Sequence, residues 1–216
     1  MLTREQFLPH EMCIVAALRM QGASDEQVIV RVKSENLFQY PTERMVANRA
    51  TVCLRRLDAM VPTDAACAAR GIDPATAAQA ATILTNLIAT GTPTQADQAI
   101  FYSMICRYDI VRELVLVEVG ERLQNFDYAF TAVDLNAFMT RFTTEYPDAA
   151  RWTEATVKRI KGSLRQTLRH AGLIGEGMGP ESERLSALFL DPDIEHALLQ
   201  LGEQPLVAAL TGRAVI

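Results

Sequence analysis

RWTEATVKRIKGSLRQTLRHAGLI (residues 151–174) is the stretch on which the reading of this chain turns. Its first twenty positions hold six Lys/Arg and one acidic residue, in a 216-residue chain of net charge -5. At about 100° per residue from Val157, the apolar residues Ile160, Leu164, Leu168 and Ala171 fall on one stripe at roughly 300–20°. Lys161, Arg165, Lys158 and Arg169 form a second stripe beside it, at roughly 40–120°, with Arg159, Gln166 and His170 farther round. Thr153 reads as the N-cap of a helix running to about His170, and Gly172 as its stop. Almost no acid is interleaved to make the usual i,i+4 pairs, so the repeated cations repel one another. Thr153 and Thr156 add hydroxyls near the helix N-terminus, where free N–H groups favour a phosphate. The pattern is that of a helix anchored on one face and presenting charge from the next.

Outward from this helix, Leu173–Ile174 and Leu185–Leu190 bracket a glycine-rich stretch. This spacing predicts a short β-hairpin, a wing, and a helix followed by a wing is the layout of winged-helix DNA-binding domains. Asp191-Pro192 then caps a helix over about 193–201, and a last one covers about 204–211. Upstream, residues 10–21 carry apolar positions at helical spacing and stop at Gly22. Ser24 and Gln27 make a capping box for a helix over about 25–35. Pro41 breaks the chain, and Thr42 caps a helix over about 43–60. On that third helix Arg44, Asn48 and Arg55 share the face opposite Ala50, Cys53, Leu54 and Leu57. Arginine and asparagine make bidentate contacts to guanine and adenine edges, so this face is a second candidate surface. Arg49 and Arg56 lie nearer the core edge, where acids would pair with them.

The middle of the chain is helical too: an alanine-rich helix from Asp73-Pro74 to about Thr90, and a long segment from Gln95 to about Leu123 with a bend near Arg107–Asp109. Ile110–Val119 contains several β-branched residues, but no turn signal bounds it and its charged neighbours are good helix formers. Asp134 caps a helix ending near Glu145. The expected fold is mainly α. Its helical N-terminal part (1–125) has a helix-turn-helix-like unit, and its C-terminal part (126–216) is winged-helix-like with a short β-hairpin wing.

Composition narrows the function. No run approaches the 18–20 apolar residues of a membrane span, and the first residues lack a signal-peptide layout, so a cytoplasmic protein with no membrane partner is expected. The four cysteines and three histidines have no metal-ligand spacing, and no P-loop, GxGxxG, GxSxG or HExxH is present. Neither a cofactor nor catalysis is expected. Residues 151–170 hold a local charge of +5 and residues 31–56 one of +4, which leaves the remainder strongly acidic. Local patches, rather than net charge, decide contacts.

Two blocks carry a resemblance: MCIVAALRMQGASDEQVIVRVKSENLFQYPTERMVANRATVCLRRL (12–57) and residues 151–174. The first has a helix, a glycine, an EQV helix, an Asn-Leu break and a helix ending Arg-Arg-Leu. The second has Trp-Thr-x-x-Thr, a basic helix and Ala-Gly-Leu-Ile. Together they resemble the BrxA family of BREX bacteriophage-defence systems. That resemblance implies a small, all-helical, double-stranded-DNA-binding accessory protein encoded beside other BREX proteins, which become candidate partners. It supplies no catalytic residues. The expected DNA-binding set therefore rests on the helical wheels: Lys158, Lys161, Arg165 and Arg169 first, with Arg159, Thr153 and Thr156 beside them, then Arg44, Asn48 and Arg55. A protein-interaction adaptor of the defence complex and a regulator of its own operon remain as alternatives.

Overall fold

The computed structural model describes residues 6–175 and 183–213. Twelve α-helices follow in order: α1 (Pro9–Met20), α2 (Asp25–Ser34), α3 (Glu43–Ala59), α4 (Asp64–Arg70), α5 (Pro74–Thr90), α6 (Pro93–Arg107), α7 (Asp109–Glu113), α8 (Gly120–Gln124), α9 (Ala132–Glu145), α10 (Glu154–His170), α11 (Pro192–Gln200) and α12 (Gln204–Thr211). A π-helical turn, Leu114–Val119, joins α7 to α8, and a 3₁₀ turn, Ala149–Arg151, precedes α10. No helix among the described residues is long and apolar enough to cross a membrane. The chain divides into two compact units.

One unit comprises Phe7–Arg107 with Leu190–Glu203. Five of its helices start where side chains satisfy the first free N–H groups: Ser24 with Gln27 in a capping box, Thr42, Thr63, Asp73 and Asp191. Each such cap stabilises its helix by about 1 kcal/mol. The alanine face of α5 (Ala77, Ala80, Ala81) is buried and small, and α5 packs against α1, whose Met12, Val15 and Ala16 are buried as well. Helix α6 is buried all round, from Gln98 to Ile105, so it runs through the middle of the unit rather than along its surface. Two polar groups there have partners: Ser103 Oγ donates to the Ile100 carbonyl at 2.6 Å, and Gln98 Oε1 accepts the Asp191 N–H at 2.9 Å. Glu203, nearly fully buried, pairs with Arg70 at 2.9 Å and accepts from the Tyr102 hydroxyl at 3.4 Å.

The other unit comprises Tyr108–Phe189 with residues from Gln204 onward. Leu114, Val115 and Val119 of the π-helical turn are buried. Gly120 follows because α12 comes too close for a side chain: a Cβ there would lie 2.7 Å from the Ala209 Cβ. Arg122 ties the next corner, reaching Asp127 at 2.6 Å, the Ala129 carbonyl at 2.9 Å and Asp134 at 2.7 Å. Asp134 also accepts the Thr131 N–H at 2.6 Å, so Thr131 is the N-cap of α9 and Asp134 the third residue of its capping box. The sequence reading put the cap on Asp134 itself. Partial burial of that carboxyl opposes ionisation, but the Thr131 and Arg122 hydrogen bonds outweigh it and hold it below the usual carboxylate range.

The mainly α expectation holds, and the β-branched run 110–119 is helical as read. The wing does not. Among the described residues there is no strand, sheet or hairpin, only two isolated antiparallel bridges, Ala129–Arg184 and Ile174–Leu185. The physical reason lies in where the second apolar run sends its backbone bonds. The two runs meet at one bridge only, flanked by Ser186 N–H to Leu173 and Gly175 N–H to Arg184, while Leu185 N–H goes to Tyr128 and Leu188 N–H to Leu210, so no ladder continues between them. Its side chains do not alternate cleanly either: Leu185 is buried while Phe189 is 97% exposed. The turn expected between the two runs lies at 176–182, outside the described residues. The winged-helix reading of the C-terminal part is therefore withdrawn. Helices α1–α3 pack on one another, and α1 also packs on α5 and α3 on α6, so they are part of a larger bundle. The segment Asp64–Arg70, for which the sequence carries no assigned element, is helix α4 with Thr63 as its cap.

Candidate nucleic-acid interface

Helix α10 forms where its wheel requires. Ile160, Leu164, Thr167 and Leu168 are buried, and Lys158, Arg159 and Arg169 are exposed. Thr153 caps it, accepting the Thr156 N–H at 3.2 Å, and the two threonine hydroxyls lie 3.0 Å apart. Both are thus engaged in starting the helix. Just before the cap, the Trp152 ring stacks on Phe142 of α9 at 6.0 Å, and Phe142 stacks on Tyr146 at 4.2 Å. This aromatic column fixes the N-terminal end of α10 against α9.

The four cations of the stripe have different surroundings. Lys158 is exposed and has no hydrogen-bond or ion-pair partner among the described residues, and the same is true of Arg159. Lys161 Nζ donates to Asn136 Oδ1 on α9 at 2.7 Å, an amide that orients the ammonium without neutralising it. Arg165 and Arg169 converge on Glu183, whose carboxylate is fully buried between them. The Arg165 Nε lies 2.7 Å from Glu183 Oε2, close enough to pair but off hydrogen-bond alignment, and Arg169 Nη2 bonds Oε1. Arg165 Nη2 is buried with no hydrogen-bond partner among the described residues. Beside the pair lies a cleft of ≈ 500 Å³ lined by Gly162, Arg165, Gln166, Arg169, His170 and Ile174, with no acidic side chain among these.

On α3, Arg44, Asn48 and Arg55 are exposed and have no partner among the described residues. Thr51, on the same face, turns its hydroxyl back to the Ala47 carbonyl at 2.9 Å. Arg56, expected to pair at the core edge, is fully buried, and its Nη1 donates to the Phe7 carbonyl at 3.0 Å. The α3 and α10 groups belong to different units. Two residues that shape the α10 surface, Asn136 and Glu183, were absent from the sequence reading. Neither lies on α10, and no local spacing points from them to it.

The geometry, then, is a helix with exposed cations in its first half and an arginine pair sharing one carboxylate in its second. Comparison with known proteins bears on the family. The BREX protein BrxA of Escherichia coli O9:H4 (strain HS) is 23% identical over 128 residues, 59% of this chain and 59% of that protein's length. A crystal structure of an uncharacterized protein from Magnetospirillum magneticum superposes with a TM-score of 0.74 at 15% identity, over 98% of this chain and 96% of the other, which is a likeness of fold. The BrxA family pattern matches residues 1–202 of the 216, and the chain belongs to the BrxA family.

Proposed function

We propose that this protein is a non-enzymatic, double-stranded-DNA-binding component of a BREX phage-defence system, working alongside other BREX proteins. The family and its named E. coli relative support the system. The observation that carries the DNA reading is on α10. Lys158 and Arg159 are exposed without a counter-ion among the described residues, and Lys161 has only a neutral amide partner. Charge that the fold does not balance is available to the phosphates of a duplex, which contribute a sequence-independent, salt-sensitive affinity. Arg44, Asn48 and Arg55 of α3 form a second contact surface under the same reading.

A salt series on the full chain with mixed-sequence duplex DNA tests the proposal. Affinity should fall steeply as salt rises, with little dependence on sequence. Absence of duplex binding by the folded protein at about 0.05 M salt, where phosphate contacts are strong, would sink the reading.

A further inference from the structure

We infer that Glu183 is an internal counter-ion occupying the place of a DNA phosphate between Arg165 and Arg169, and that it restrains DNA affinity until a backbone phosphate replaces it. The inference rests on the DNA reading above. It starts from an arrangement that is unusual for a stabilising pair. A carboxylate with no exposure meets one guanidinium from Arg165, with a 20% exposed side chain, and another from Arg169, with a 43% exposed side chain. Taking a carboxylate out of water costs several kcal/mol, which only well-aligned partners offset. Here the alignment is incomplete. Arg165 Nη2, Arg165 Nε and Glu183 Oε2 are all buried without a hydrogen bond among the described residues. Arginine forks match phosphate at least as well as carboxylate, and a phosphate brings more acceptor oxygens to the donors that Glu183 leaves unserved.

The site is also accessible from one side. The adjoining cleft is lined by both arginines, His170 and Gln166. A strand of DNA tracking the exposed cations of α10 would bring its phosphates to this end of the same helix. Glu183 belongs to a segment whose backbone is held by two isolated bridges and three bonds, Gly175 N–H to Arg184, Leu185 N–H to Tyr128 and Ser186 N–H to Leu173, rather than by a continuous ladder. Such a segment can yield without dismantling a sheet.

The test is Glu183→Gln in the full chain, which keeps the shape and most hydrogen bonding but removes the charge. Binding to duplex DNA is followed by fluorescence anisotropy over a salt series, with circular dichroism confirming the fold. One more available cation steepens the log K against log salt slope by about 0.9, which is about eightfold tighter binding at 0.1 M salt and almost none at 1 M. The gain should vanish when Glu183→Gln is placed in an Arg165→Gln/Arg169→Gln background. A folded Glu183→Gln protein with unchanged affinity and slope, beside a wild type that binds DNA, overturns the inference and leaves the DNA reading standing. Failure of both proteins to bind overturns the DNA reading and the inference with it. Hydrogen exchange of the unmutated protein decides the matter if the variant does not fold. Exchange at the Leu185 and Ser186 amides should accelerate when duplex is bound, and unchanged or slower exchange overturns the inference.

Discussion

Replacing Lys158, Arg159 and Lys161 together by alanine removes the cations of α10 that have no acidic partner among the described residues. The fold should tolerate the change. Two of the side chains are exposed without partners, and the third loses a single bond to Asn136, a loss of about 0.5–1.5 kcal/mol. The effect on DNA is worked from the charge count. These three cations, plus the one net positive charge of Arg165 and Arg169 after Glu183, give α10 about four phosphate equivalents and a slope of about -3.6. The triple variant retains about one, a slope of about -0.9. Between 0.05 and 0.2 M salt the α10 contribution to wild-type affinity should then fall about 150-fold, against about 3.5-fold for the variant. Anisotropy of a labelled duplex measures both slopes, with an Arg165→Gln/Arg169→Gln variant as comparison. That variant should flatten the slope by only about one phosphate equivalent, because Glu183 already cancels part of its charge. A triple variant that stays folded and keeps the wild-type slope would refute the assignment of α10 as the phosphate-contacting surface.

Three further variants concern α10 and the frame that holds it. Gly120→Ala should destabilise the protein by about 1–3 kcal/mol through overpacking, because the new Cβ would meet Ala209 at 2.7 Å. In contrast, Gly162→Ala, in the middle of α10 with nothing within 4 Å, should stabilise by about 1 kcal/mol. Thermal melts that shift in the same direction for both would contradict the packing described for α12. Asp134→Asn should cost about 1 kcal/mol at neutral pH by weakening the α9 cap. Since the folded carboxyl ionises below its ordinary value near 3.8, its contribution is complete above that value and is lost as pH falls through the lower, folded one. The melting difference between wild type and variant should therefore shrink in acid; a difference constant from pH 7 to pH 2 would contradict the capping geometry.

The parts of the fold that were legible in the sequence are those set by neighbours along the chain. Ser24 and Gln27, Thr42, Asp73 and Thr153 act within three residues of themselves, and each caps the helix it announces. The apolar stripe of α10 was read from spacing alone, and Ile160, Leu164 and Leu168 are buried as that spacing requires. The wing failed because two short apolar runs around glycines define a hairpin only if the ladder between them continues. Here they meet at the single bridge Ile174–Leu185, while Tyr128 and Leu210, elsewhere in the chain, take the N–H groups of Leu185 and Leu188. The break after α6 at Tyr108, where the backbone turns extended, was visible only as a possible bend. No periodicity encodes the close approach of α12 that requires Gly120.

The cationic stripe shows the same divide within one helix. On the wheel Lys158, Lys161, Arg165 and Arg169 are equivalent, because a wheel records direction and not counter-ions. In the folded chain they are not. Arg165 and Arg169 meet one carboxylate 18 and 14 residues downstream, so half of their charge is balanced inside the molecule. Lys158 and Arg159 gain nothing comparable: no acid among the described residues pairs with them, and Lys158 has a like charge, Lys161, three residues on. Among the described residues nothing balances their charge, which leaves it to ions from solution or to an anion from another molecule. A polyanion that binds there first releases those ions and then meets the Arg165–Glu183–Arg169 group two to three turns farther along α10. If a duplex binds as proposed, the order of contact runs from the N-terminal half of the helix, where charge is open, toward the C-terminal half, where a phosphate would have to take the place of the Glu183 carboxylate.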